Sequence, residues 1–167
     1  MNAVLLTGHG GLEKLEYKTD IPVPVPKDDE VLIKVTAAGI NNTDINTRTA
    51  WYSKYKSNAG GSWSGAPLKF PRIQGADVCG MIVSTGSKVN KSRIEERVIA
   101  RTMQTDPKNP QSPNMITLGS ELNGAFAQYV TIRSSETFSV NCKWSDAELG
   151  SIPVSYTHLT LPTSDLV

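Results

Sequence analysis

The 167 residues predict a mainly β fold, a β-rich α+β domain with short helices, and three observations carry that prediction. Short runs of alternating apolar and polar residues recur along the chain, each closed by Gly, Pro, Asn or Ser. Helical patterning is confined to two brief stretches. The length suits one domain with one substantial core. Six or so short strands with little helix imply an all-β barrel or a β-rich domain.

In order, Met1 to Leu6 (MNAVLL) and Leu12 to Tyr17 (LEKLEY) are strand candidates joined by the turn residues Thr7 to Gly11, a hairpin. Within that Gly-rich turn His9 is expected to be an exposed loop residue. Ile21 to Pro26 (IPVPVP) has proline at every second position, which removes ladder donors and makes it an extended connector. Glu30 to Ala37 (EVLIKVTA) alternates as a half-buried strand. Tyr52 to Pro71 is a long Gly- and Ser-rich loop with interleaved aromatics, and loops of that length are functional or disordered. Ile73 to Ser87 reads as a strand with close approaches at Gly75 and Gly80. Glu96 to Thr102 is a further strand, Met103 to Asn123 a polar excursion, Gly124 to Ile132 a strand, and Glu136 to Val140 a last small one. Ser145 and Glu148 form a Ser-x-x-Glu capping box, so a helix starts there.

Seventeen basic and sixteen acidic residues are interspersed, for a formal net charge of +1. Neither a nucleic-acid groove nor an anionic membrane surface is expected from that balance. No apolar run approaches the roughly 20 residues that span a bilayer. Cys79 and Cys142 are too few and too far apart for a disulfide framework, and no signal peptide precedes the first strand, so a cytoplasmic location is expected.

The stretch Val35 to Trp51 (VTAAGINNTDINTRTAW) releases Asn41, Asn42, Thr43 and Asp44 in succession at the end of a strand. Such a run can cap a helix or present polar groups at the mouth of a pocket. Asp44 suits the capping role. The aromatics Trp51, Tyr52, Tyr55 and Trp63 can pack the loop or wall an apolar substrate site.

Val154 to Thr163 (VSYTHLTLPT) matches, residue for residue, the translation of a transposon-end adaptor used in sequencing libraries. Residues 154–167 are therefore read as a non-native read-through tail, residues 1–153 as the domain, and His158 is given no catalytic role.

The segments AAGINNTDINTR, FPRIQGADVCGMIVSTGSKV, ERVIA, GAFAQYV and SDAELGSIP, in this order, resemble the catalytic domain of the medium-chain dehydrogenase/reductase family. The resemblance implies a GroES-like, partly open β-barrel that packs against a Rossmann domain binding NADPH or NADH. No G-x-G-x-x-G run occurs here, so that domain is expected to be missing and no dinucleotide is expected to bind this stretch tightly. Zinc members carry a catalytic Cys at the position of Asn41 and a His-Glu pair at those of Ala76 and Asp77, and they often have a four-cysteine lobe within the region of Met103 to Leu122. This sequence supplies none of those sets, so no zinc is expected and the resemblance points to the zinc-free, quinone oxidoreductase-like branch. Cys79 reads as a small buried hydrophobe and Asp77 as a structural hydrogen-bonding group.

In that branch the substrate is a small carbonyl or quinone, and hydrogen-bond donors must stabilise the oxyanion that hydride transfer creates. By this resemblance Asn41, Thr43 and Tyr52 are the candidate catalytic donors, with Asn41, Asn42 and Thr43 as candidate cofactor contacts; for Asn41 a purely capping role stays open. The full-length enzyme is expected to be a homo-oligomer and the isolated domain to be inactive. A zinc alcohol dehydrogenase fragment with relocated ligands and a stand-alone GroES-like binding module remain as alternatives.

Overall fold

The computed structural model describes residues 1–52, 67–108, 111 and 115–154. Tyr55, Trp63, His158 and the tail from 155 onward lie outside the described residues.

Ten strands and two short helices follow one another among the described residues: β1 (Ala3–Leu6), β2 (Leu15–Lys18), β3 (Glu30–Ala37), α1 (Asn42–Arg48), β4 (Arg72–Ile73), β5 (Cys79–Thr85), β6 (Arg97–Ala100), β7 (Met103–Thr105), β8 (Met115–Thr117), β9 (Tyr129–Arg133), β10 (Thr137–Ser139) and α2 (Asp146–Leu149). The strands form a sheet β2-β1-β4, a larger sheet β10-β6-β5-β3-β9 and a small β7-β8 pair. The first hairpin is present, in register from Ala3 opposite Lys18 to Leu6 opposite Leu15, but its second strand starts at Leu15 and not at Leu12, because Leu12–Lys14 close a 3-10 turn in which the Leu15 N–H donates to Leu12 O.

Residues 125–128 stitch the first two sheets together. Val4 N–H donates to Phe126 O at 2.8 Å, while Val35 N–H, at the end of β3, donates to Gln128 O at 2.9 Å. The result is a partly open barrel and not a closed one.

β3 is central, between β5 and β9, and its Val31, Leu32 and Ile33 are all buried. Val31 and Ile33 join Val78, Ile82, Val98, Ala100, Leu118, Ala125, Val130 and Ile132 in one apolar core. The β-branched residues that dominate that set pack well on a pleated surface.

Two further readings of strand length are corrected. Instead of running from Ile73, the long strand splits into β4 and β5, because Gly75 at φ +100° turns its N–H out of the ladder. The segment from Gly124 becomes a regular strand only at Tyr129, since Gly124, Ala125 and Phe126 donate to Ile73 O, Gly75 O and Gln74 O in an irregular stitch. The polar excursion holds the β7-β8 hairpin, with Met103 opposite Thr117. No helix among the described residues is long and apolar enough to cross a membrane.

Candidate functional site

A bulge delivers the chain to the polar turn. The register of β3 against β5 shifts between Val35 and Ala37, beside Gly80, where a Cβ would lie 2.3 Å from Lys34 O. A bulge bends the strand and sharpens its twist, here where β3 gives way to Ala38–Asn41.

Asn41 is extended, at φ −129° and ψ 160°, and is the N-cap of α1. Its Oδ1 accepts from Thr43 N–H at 3.4 Å, and Asp44 Oδ2 accepts the Asn41 N–H at 3.0 Å, closing a capping box. Asp44 goes further than a cap. Its Oδ1 accepts the N–H of Gly75 at 3.1 Å, the Ala76 N–H adds to the set, and its backbone oxygen accepts from the buried Gln74 side chain at 2.9 Å. Burial raises the Asp44 carboxyl above its ordinary pKa, and the N–H groups of Asn41, Gly75 and Ala76 oppose that rise.

Asp77 lies beneath the same turn and is 1% exposed. Its Oδ1 accepts the N–H of Val154 at 2.6 Å. Burial is the main force pushing the Asp77 pKa up to about 6, and the charge of Asp44 adds to it against the opposing pull of the Val154 N–H and the nearby Asn41 side chain. Gly39 completes the packing. A Cβ there would meet Gly150 O at 2.6 Å and Asp77 Oδ2 at 3.0 Å, so the turn, the carboxylate and the end of α2 touch.

α2 carries the expected capping box, with Glu148 N–H to Ser145 Oγ at 3.3 Å and Ser145 N–H to Glu148 Oε2 at 2.7 Å. It is anchored by Arg97, whose Nε donates to Asp146 Oδ1 at 2.6 Å. The Cys79 thiol is buried, its pKa raised chiefly by that burial, and lies 3.8 Å from Asp146 Oδ1.

The sequence-predicted site residues divide. Asn41 and Thr43 are brought together by the cap, both half-buried, and Asn42 on the first turn of α1 is exposed. Tyr52 stands beyond the far end of α1, half-buried, its ring edge-on to Trp51 at 5.5 Å between centroids. With its Oδ1 serving the cap, the Asn41 side chain is left with its amide N–H groups as donors. Chemically the turn can present an amide N–H and a hydroxyl to an oxygen. His9 is not the exposed loop residue expected. It is half-buried, with Nδ1 3.1 Å from Thr47 O and its ring edge-on to Phe70, because the first hairpin's turn docks on α1.

Asp77, Gln74 and Gly39 were not singled out for the site from sequence. The signal available was the pair of glycines around Asp77, which mark close backbone approach. At the three positions where zinc relatives place ligands stand Asn41, Ala76 and Asp77, and among the described residues no group of three or more His, Cys, Asp or Glu could hold a metal ion. This donor set does not fit tetrahedral zinc.

Known proteins share this arrangement of strands. The alcohol dehydrogenase GroES-like domain family matches residues 27–141. A chloroplastic quinone-oxidoreductase homolog of Spinacia oleracea is 30% identical over 155 residues, which cover 93% of this chain and 39% of that protein. Quinone oxidoreductase of Homo sapiens is 28% identical over 156 residues, 93% of this chain and 38% of that one. Among solved structures, a protein assigned as an alcohol dehydrogenase from Sinorhizobium meliloti 1021 superposes with a TM-score of 0.80 at 38% identity, covering 92% of this chain and 43% of its own. The chain spans about two fifths of the length of these curated relatives.

Proposed function

Because this chain belongs to the alcohol dehydrogenase GroES-like domain family of medium-chain dehydrogenase/reductases, we propose that it is the substrate-side domain of a zinc-independent, NAD(P)H-dependent reductase of small quinones or enones. One observation carries the reading. The cap after β3 holds Asn41 by its side-chain oxygen, which leaves the amide N–H groups as donors for a substrate oxygen in the place where zinc relatives hold a ligand.

A bound dihydronicotinamide would supply the hydride, and Asn42, Thr43 and the outer edge of Asn41 are the groups of this chain that would hold it. The substrate's oxygen gains negative charge as its conjugated carbon accepts the hydride. The Asn41 N–H and the Thr43 hydroxyl donate to that oxygen, with Tyr52 as a third donor from beyond α1. Each preorganised donor in a dry site is worth about 3 kcal/mol of barrier. Ile40, 82% exposed beside Asn41, and the exposed Ile45 and Trp51 would exclude water once substrate covers them. In this reading residues 1–153 are the domain, residues 154–167 the appended tail, the dinucleotide's own domain belongs to sequence outside this stretch, and the complete enzyme is a cytoplasmic homo-oligomer.

The test is a chimera in which residues 1–153 replace the corresponding part of the Spinacia oleracea homolog. The chimera is expected to oxidise NADPH with 1,4-benzoquinone or an enone after exhaustive chelation, and Asn41→Ala is expected to lower kcat on the order of 100-fold. A chimera that binds NADPH but turns over only alcohols, and only with zinc added, would overturn the reading in favour of a zinc alcohol dehydrogenase.

A further inference from the structure

A cavity of about 260 Å³ opens beside Glu30 at the start of β3, while the polar turn with Asn41 follows the other end of the same strand. Strands β3, β4, β7, β8 and β9 supply its walls. Most of the charged groups on those walls are engaged. Glu30 accepts the Lys27 N–H at 3.0 Å and the Lys27 Nζ at 3.1 Å, and Glu121 Oε2 accepts the Thr117 N–H at 2.9 Å. Arg133 donates to Thr105 O at 2.6 Å and pairs with Glu136 at 3.4 Å.

Arg72 is the exception. Its Nη1 donates to Asn123 Oδ1, a neutral partner, at 2.9 Å, and its Nε is buried with no hydrogen-bond partner. Among the described residues Nη2 makes no hydrogen bond either, and no Asp or Glu forms an ion pair with this guanidinium. Burial holds its pKa below the ordinary value, and the charge of Glu121 opposes that only in part. A buried N–H without an acceptor is a standing cost, which an acceptor brought against it removes. Asn123 Oδ1 also accepts the Ile73 N–H at 3.3 Å, so the guanidinium is held at Nη1 while its Nε and Nη2 edge stays unused.

We propose that this cavity is a binding site for a small monocarboxylate, whose two oxygens take the Nε and Nη2 donors of Arg72 while its short apolar body lies against Ile116, Leu122 and Ile132. Two parallel N–H groups on one guanidinium edge match the two oxygens of a carboxylate. Glu30 and Glu121 stand in the same walls and repel a second negative charge, which selects a monoanion over a phosphate dianion. The volume falls below the about 300–1,000 Å³ of pockets for drug-sized ligands, so the ligand has few heavy atoms. No residue of the turn after β3 lines the cavity, and the proposal does not rest on the reductase reading.

The test is an NMR titration of the whole 167-residue chain, 15N- and 13C-labelled, with butyrate at constant ionic strength and neutral pH. Butyrate should shift the Arg72 Nε–H and the Ile116 and Leu122 methyl signals along one saturating curve. Butyramide, its neutral isostere, should bind roughly tenfold more weakly or worse, and inorganic phosphate should also bind more weakly than butyrate. Arg72→Gln should weaken butyrate by roughly tenfold or more, and Arg72→Lys should restore little, because an ammonium has no planar fork. Butyramide that binds as well as butyrate overturns the proposal, as do butyrate shifts that never saturate or that miss Arg72. Phosphate that binds more tightly than butyrate overturns the choice of a monocarboxylate. If Arg72→Gln does not fold, the comparison of butyrate with butyramide on the wild-type chain decides alone.

Discussion

Asp44 Oδ1 accepts the N–H of Gly75 at 3.1 Å, which ties the first turn of α1 to the segment between β4 and β5. The same side chain accepts from Asn41 and so serves as cap and cross-brace together. Replacing it with alanine strands buried N–H groups on two elements, each costing about 1–3 kcal/mol. The Asp44→Ala variant is expected to lose about 3 kcal/mol or more in urea unfolding. Asp44→Asn should lose less, because the amide keeps one acceptor and removes a buried charge.

The pH dependence of stability has a defined sign at Asp77. Its folded pKa, about 6, lies above the ordinary 3.8, so between these values the folded state holds the proton more tightly than the unfolded chain. Stability from this group is therefore fully present below pH 3.8 and is lost as pH rises through 6. A shift of about two units corresponds to about 3 kcal/mol. The carboxyls of Asp146, held low chiefly by its hydrogen bond to Thr36, and of Asp28, held low chiefly by Ser87, act in the opposite sense at lower pH. The measurement is thus a difference: the unfolding free energy of wild type minus that of Asp77→Asn should fall by about 3 kcal/mol between pH 3.8 and pH 7. A difference that is flat or rises with pH contradicts the assignment.

How much of this was legible before the structure follows from range. The capping box at Ser145 and Glu148 and the strand patterns of β3 and β6 are local and could be read directly. β7 and β8 have three residues each, MQT and MIT, too short and too polar to show a period. The break between β4 and β5 turns on one backbone angle at Gly75, which the strand-like residues around it concealed. Asn41 and Thr43 could be placed in a site by resemblance, but the contact of Asp77 with Val154 spans 77 residues and leaves no local mark. Val154 itself is buried, 2% exposed, although its side chain belongs to the stretch read as an appended tail.

Gly75 offers a test of backbone geometry. At φ +100° an L side chain is strained, and its Cβ would lie 2.7 Å from both the Phe126 ring and the Phe126 N. Strain of this kind costs about 1–3 kcal/mol before any clash is counted. Gly75→Ala is expected to lose at least about 2 kcal/mol in stability and to disturb the Asp44 contact. Gly8 is the control, since a Cβ there would meet only Lys14 Cδ at 3.9 Å. Gly8→Ala should change the thermal midpoint little, and equal losses at both positions would refute the geometric argument.

Arg97 makes the strongest case for a remote residue that shapes the site. Its guanidinium donates through Nε to Asp146 Oδ1 at 2.6 Å, through Nη1 to Cys142 O at 3.3 Å and through Nη2 to Trp144 O at 2.6 Å, so one side chain on β6 holds both the approach to α2 and its first turn. α2 is four residues long, far below the length at which a helix holds itself in water. Gly150 O, at its end, packs against Gly39, and the Val154 N–H reaches Asp77, so loosening α2 loosens the floor beneath Asn41. Arg97→Met keeps much of the apolar stem and removes all three donors. It is expected to speed amide exchange of residues 145–154 at least tenfold while β3 and β5 stay protected, with a global cost of about 1–2 kcal/mol. Arg97→Lys should rescue little, because an ammonium cannot fork to a carboxylate and two carbonyls in one plane. Exchange that accelerates equally across β3 would mean that Arg97 serves the whole barrel and not α2.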